Sequence, residues 1–113
     1  MITIWHNPRC SKSRQTLALL QEHGHAPTIR LYLEDAPSAD EIKETLARLN
    51  IPAIKLTRTT EAEFKAQALS KSSPEADLIA AMAKTPKLIE RPIVFANDKA
   101  AIGRPPEAVL NIL

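Results

Sequence analysis

The chain carries one cysteine, Cys10, and bases crowd around it: His6, Arg9, Lys12 and Arg14 all lie within four residues of it. A thiol attacks well only once ionised, and nearby cations together with the amides of a helix N-terminus favour the thiolate. Cys10 sits where an apolar run and a turn give way to a helical pattern, so the sequence predicts a depressed thiol pKa and a nucleophile active near neutral pH. The alternative is a buried structural cysteine, since free Cys packs as a small hydrophobe. Asn7, Pro8, Arg9, Ser11, Lys12 and Ser13 are polar or turn-forming neighbours and favour the reactive reading.

Ser13 stands three residues after Cys10, where a dithiol motif would place its second sulfur. No internal disulfide can form, so a redox cycle at Cys10 needs a thiol from outside. Ser11 or Ser13 is placed either to cap the helix or to bond the thiolate, and the spacing does not choose between these. A phosphatase-type loop is excluded, because Arg14 follows Cys10 with only three residues between. A zinc site is excluded too: one Cys with scattered His6, His23 and His25 lacks ligand spacing. Arg58, Arg91 and Arg104 fall in turns or at strand edges, where guanidinium groups can grip a tetrahedral oxyanion through paired N–H donors. Taken singly, each is more often a solvated surface residue.

The elements that must position these groups follow from periodicity. Ile2–Trp5 reads as a strand and Asn7-Pro8 as a turn. Ser11–His23 reads as a helix, with Leu17, Leu20 and Ala18 expected to face inward and Gly24 to end it. Thr28–Tyr32 alternates like a second strand. Ser38 and Glu41 form a capping-box pattern before a helix whose apolar stripe is Ile42, Leu46 and Leu49, closed by Asn50-Ile51-Pro52. Short helices are expected over Glu61–Ala68 and from about Pro74 to Lys84. Pro92–Ala96 and Ala100–Ile102 read as a hairpin turning at Asn97-Asp98, and a last helix runs from about Pro105 to Leu113. The order β-α-β, helices, β-β-α implies an α/β fold with a mixed sheet: a thioredoxin-like (glutaredoxin-like) arrangement with a helical insert before the hairpin.

With 113 residues, one domain spanning 1–113 is expected. Fifteen basic and thirteen acidic residues interleave to a net charge of +2, which makes no basic stripe for a nucleic acid. The N-terminal apolar run is too short for a signal peptide, and no run approaches a membrane span. A lone thiol suits a reducing compartment, so a cytoplasmic protein is expected.

Three separated segments carry a family likeness: His6-Asn7-Pro8-Arg9-Cys10-Ser11-Lys12-Ser13-Arg14, Leu88-Ile89-Glu90-Arg91-Pro92-Ile93-Val94 and Ile102-Gly103-Arg104-Pro105. The chain resembles, essentially end to end, the arsenate reductases that depend on glutathione and glutaredoxin (ArsC-like, thioredoxin superfamily). The resemblance implies Cys10 as catalytic nucleophile and Arg58, Arg91 and Arg104 as the oxyanion-binding arginines. His6, Arg9, Ser11, Ser13 and Arg14 would support the thiolate, and Pro92 matches the superfamily's cis-proline. It implies arsenate as substrate, glutathione as co-substrate, glutaredoxin as partner, no bound cofactor or metal, and a monomer. Ser11 departs from the glycine that well-characterised members carry after the cysteine, and its side chain is expected to crowd the amides an oxyanion approaches. The alternatives within this fold are a monothiol exchanger acting on glutathionylated proteins and a regulatory module of the Spx type.

Overall fold

The computed structural model describes all 113 residues, which fall into two compact units: residues 1–35 with 91–113, and residues 36–90.

The first unit is built on a four-stranded sheet in the order β2-β1-β3-β4, with β1 at Thr3–Trp5, β2 at Thr28–Arg30, β3 at Ile93–Ala96 and β4 at Lys99–Ile102. β1 runs parallel to β2 across the helix α1 (Ser11–Glu22) and antiparallel to β3, so the sheet is mixed as expected. The period-2 alternation of the strands sends Ile4, Val94 and Ala96 to one face. There they pack with Leu20 of α1 and with Val109 and Ile112 of a terminal 3-10 helix, Pro106–Ile112. The opposite face carries Trp5, whose ring meets Phe95 at 5.0 Å and lies 5.5 Å beneath the Arg30 guanidinium.

The inward stripe of α1 differs from the expected one. Ser13, Thr16 and Leu20 are buried, Leu17 is half-buried, and Ala18 faces solvent. Counting apolar residues alone misses two polar members of the stripe, which lie one turn apart. β2 ends at Arg30 rather than Tyr32, and the last helix is 3-10 rather than α.

β3 and β4 form a hairpin in the register Ile93↔Ile102 to Ala96↔Lys99. Asn97 and Asp98 both have positive φ, 52° and 60°, which makes a two-residue turn of the mirror-image type whose twist matches the strands. At the open end the pairing continues: Gly103 N–H donates to the Pro92 carbonyl at 2.9 Å, and Arg104 Nε to the Arg91 carbonyl at 2.8 Å. The Arg91–Pro92 and Arg104–Pro105 peptides are both cis, the first as the family likeness implied.

The second unit is helical. α2 (Ala39–Leu49) opens with the expected capping box: Ser38 Oγ accepts from the Glu41 amide, and the Glu41 carboxylate accepts from the Ser38 amide. Asn50 ends it in a left-handed conformation. A single helical turn, α3 (Ala53–Leu56), follows. Its first amide, that of Ala53, donates to both carboxylate oxygens of Glu75 at 2.9 Å. α4 (Ala62–Ala66) and α5 (Glu75–Lys84) come next, then a 3-10 turn at Pro86–Leu88. Pro74 is the cap of α5 rather than its first residue. A one-residue antiparallel bridge between Thr57 and Ile89 sets Arg58 beside Glu90. No helix in either unit is long and apolar enough to cross a membrane.

Candidate active site

The loop between β1 and α1 is tied down by its own side chains. Asn7 accepts the Arg9 amide on Oδ1 at 3.0 Å and the Cys10 amide on its carbonyl at 3.0 Å. Arg14, one turn into α1, reaches back to donate to the Pro8 carbonyl at 2.9 Å. This fixes Cys10 as the residue before the first helical position, with extended backbone.

Ser13 neither caps the helix nor serves the sulfur with its hydroxyl. It is fully buried, and its Oγ pairs with His6 Nδ1 at 2.6 Å while accepting the Asn7 amide at 3.0 Å. The hydroxyl is thus committed to the loop, bridging the His6 ring and the Asn7 amide. Burial, then the positive charge of Arg14, lowers the His6 pKa below the usual histidine value. The ring is therefore neutral near pH 7, and His6 supports the loop as a hydrogen-bond partner of Ser13 rather than by charge.

Cys10 is only 8% exposed, so its polar neighbours do not leave it open as the sequence suggested. Arg104 donates to Sγ from Nη2 at 3.7 Å, and the Arg91 guanidinium also faces the sulfur. Burial pushes the thiol pKa up. The Ser13 amide, the hydrogen bond and charge of Arg91, and the Lys12 amide pull it down, and they win. Arg91 and the two amides thus outweigh the burial, while Arg104, an exposed residue, donates to the same sulfur. Ser11 is exposed at the first helical position and does not prevent the next two amides from acting on the thiolate.

Of the three arginines singled out, the structure brings Arg91 and Arg104 together at the sulfur. Arg58 belongs to the helical unit, where Nε pairs with Glu61 at 3.2 Å and Nη1 with Glu90 at 3.5 Å. Arg9 is exposed and takes part through its backbone amide.

Two contributors escaped the sequence reading. Asn7 organises the whole loop, and its signal was the Asn-Pro pair, read only as a turn. Gly103 lets the Arg104 segment lie against α1: a Cβ there would come 2.5 Å from Thr16 Oγ1 and 2.8 Å from Pro92 Cγ. Its signal was position, one of only two glycines, directly before an arginine.

Comparison with known proteins agrees with this geometry. The ArsC family model matches residues 5–112. The chain is 51% identical to the uncharacterized protein YfgD of Escherichia coli K12, over 99% of this chain and 96% of that one. It is 45% identical to a protein named arsenate reductase from Haemophilus influenzae, over 99% and 98%. Among solved structures, the arsenate reductase from Vibrio cholerae superposes with a TM-score of 0.95 at 47% identity, covering 99% of this chain and 97% of that one. The fold is accordingly thioredoxin-like. A lone cysteine at a helix N-terminus, two arginines on its sulfur and a match over nearly the whole length have one reading: this chain is a member of the ArsC arsenate reductase family.

Proposed function

We propose that the protein reduces arsenate to arsenite, with Cys10 as nucleophile and external thiols as the electron source. The observation that carries this reading is the sulfur itself: a thiol with a lowered pKa, beneath two guanidinium groups, in a chain with no second cysteine. Arsenate carries charge on oxygens that guanidinium forks match, and preplaced donors aimed at developing charge are the largest catalytic contribution in many enzymes. Arg91 and Arg104 hold the oxyanion at the thiolate, and Arg58 is the third expected ligand.

The Cys10 thiolate attacks arsenic, and one arsenic hydroxyl leaves with a proton as water. Glutathione thiolate then attacks the Cys10 sulfur of this adduct. The sulfur–arsenic bond breaks with its electron pair going to arsenic, which becomes trivalent, and a Cys10–glutathione disulfide remains. A glutaredoxin thiol takes the glutathione, so that Cys10 is released as thiolate. Two thiols outside the chain supply the two electrons, as Ser13 in place of a second cysteine requires. No step calls for a bound cofactor, and a monomer in a reducing, cytoplasmic setting suffices.

The test is arsenite formation by purified protein with glutathione and glutaredoxin. Activity that needs both thiol partners and disappears in Cys10→Ser supports the reading. Background rates with a correctly folded protein overturn it. Exchange of glutathione from a glutathionylated peptide, measured on the same preparation, separates the monothiol alternative.

A further inference from the structure

Arg58 does not stand ready for an anion. Its Nε–H is held by Glu61 at 3.2 Å and its Nη1 by Glu90 at 3.5 Å, all three side chains being largely buried. A guanidinium grips an oxyanion through one of two edges, Nε with Nη2 or Nη1 with Nη2. Each edge contains a nitrogen already engaged by a carboxylate. Lys87 extends the cluster, lying 3.5 Å from Glu61 and 3.6 Å from Glu63. Two cations thus face three carboxylates, and the local balance is negative where a dianion would approach.

We infer that Glu61 and Glu90 mask Arg58 and hold down its affinity for oxyanions, so that an oxyanion must displace the Glu61 carboxylate before this arginine can hold it. The inference rests on the reading of Arg58 as an oxyanion ligand. Burial pushes the Glu61 pKa up, but the hydrogen bond from Arg58 and the charges of Lys87 and Arg58 outweigh it, so Glu61 is a full competing charge at neutral pH. Lys87 provides a second partner for Glu61 when it is displaced, which keeps the exchange reversible. The mask weakens grip on every tetrahedral dianion alike.

The test compares wild type with Glu61→Gln, Glu90→Gln, Glu61→Asp and Glu44→Gln. The last removes one exposed carboxylate that pairs with Arg48 and does not touch Arg58. Phosphate affinity is read from titration of the arginine Nε–H resonances, which needs no turnover, and arsenate KM and kcat are read beside it. Glu61→Gln is expected to tighten phosphate roughly three- to tenfold and to lower arsenate KM similarly with kcat little changed, the size of one partly screened charge. Glu90→Gln should follow with a smaller gain, while Glu61→Asp and Glu44→Gln stay near wild type. Unchanged or weaker phosphate binding in Glu61→Gln, or an equal gain in Glu44→Gln, overturns the masking role even if wild type reduces arsenate. Absence of arsenite formation overturns the proposed activity and leaves the titration to decide the mask.

Discussion

Ser13→Ala deletes one buried oxygen and two hydrogen bonds at once. The oxygen is completely enclosed, and both partners, His6 Nδ1 at 2.6 Å and the Asn7 amide at 3.0 Å, belong to buried residues. A buried polar group left without a partner costs about 1–3 kcal/mol. His6 can recover part of its loss by turning, so the expected total is about 2–4 kcal/mol, a large share of the roughly 5–15 kcal/mol by which such domains are stable. The corresponding fall in Tm is about 10–20 °C. Urea denaturation at pH 7.5 measures it, with Ser11→Ala as the control. Ser11 is exposed and its change should stay within about 0.5 kcal/mol. The hydroxyl does not serve the sulfur, so the pH dependence of Cys10 alkylation should be unchanged in folded Ser13→Ala protein. A destabilisation below about 0.5 kcal/mol would refute the fastening role. A stable variant whose Cys10 has lost reactivity would show instead that the hydroxyl acts on the thiolate.

Three further outcomes are expected. In wild type, iodoacetamide alkylation of Cys10 should rise with an inflection below the ordinary thiol value of about 8.5, and Arg91→Met should move that inflection upward; no shift in the variant would remove Arg91 from the ionising set. Because the folded thiol has the lower pKa, its contribution to stability is complete above the unfolded value and is lost as pH falls through the folded one, so wild type should gain on Cys10→Ser between those two values in paired urea titrations. Glu75→Ala strips the cap from α3 and should cost about 1 kcal/mol, with Glu75→Gln recovering part of it.

Much of this architecture was readable because it rests on local signals. The capping box at Ser38 and Glu41, the Asn97-Asp98 turn and the β-α-β start are written in neighbouring residues, and all three stand in the structure. The lowered thiol pKa was legible only in part: the Lys12 and Ser13 amides follow Cys10 directly, but the cation acting with them is Arg91 from far along the chain, not the bases of the loop. What stayed hidden depends on partners far away in the chain. Nothing near Ala53 announces a helix, because the carboxylate that starts α3 comes from Glu75. Arg58 looked like an available anion ligand until the Thr57–Ile89 bridge set Glu90 beside it. Ser13 and Thr16 escaped notice as core residues because their burial is justified by His6, Asn7 and the Lys12 carbonyl rather than by apolar surface.

The hairpin that carries Arg91 and Arg104 is only four residue pairs long, and its closed end is a turn of two residues. One extra residue there would slide β4 by one place and reverse the face of every side chain on it, taking Arg104 from the sulfur and driving Ile102 toward the helix where Gly103 now lies. Asn97 and Asp98, both tolerant of left-handed backbone, thereby act as a gauge for charges at the opposite end of the ribbon. Tolerance at this surface turn should be limited by chain length as well as by side-chain identity, since Asn97 also donates from Nδ2 to the Ile112 carbonyl at 3.0 Å.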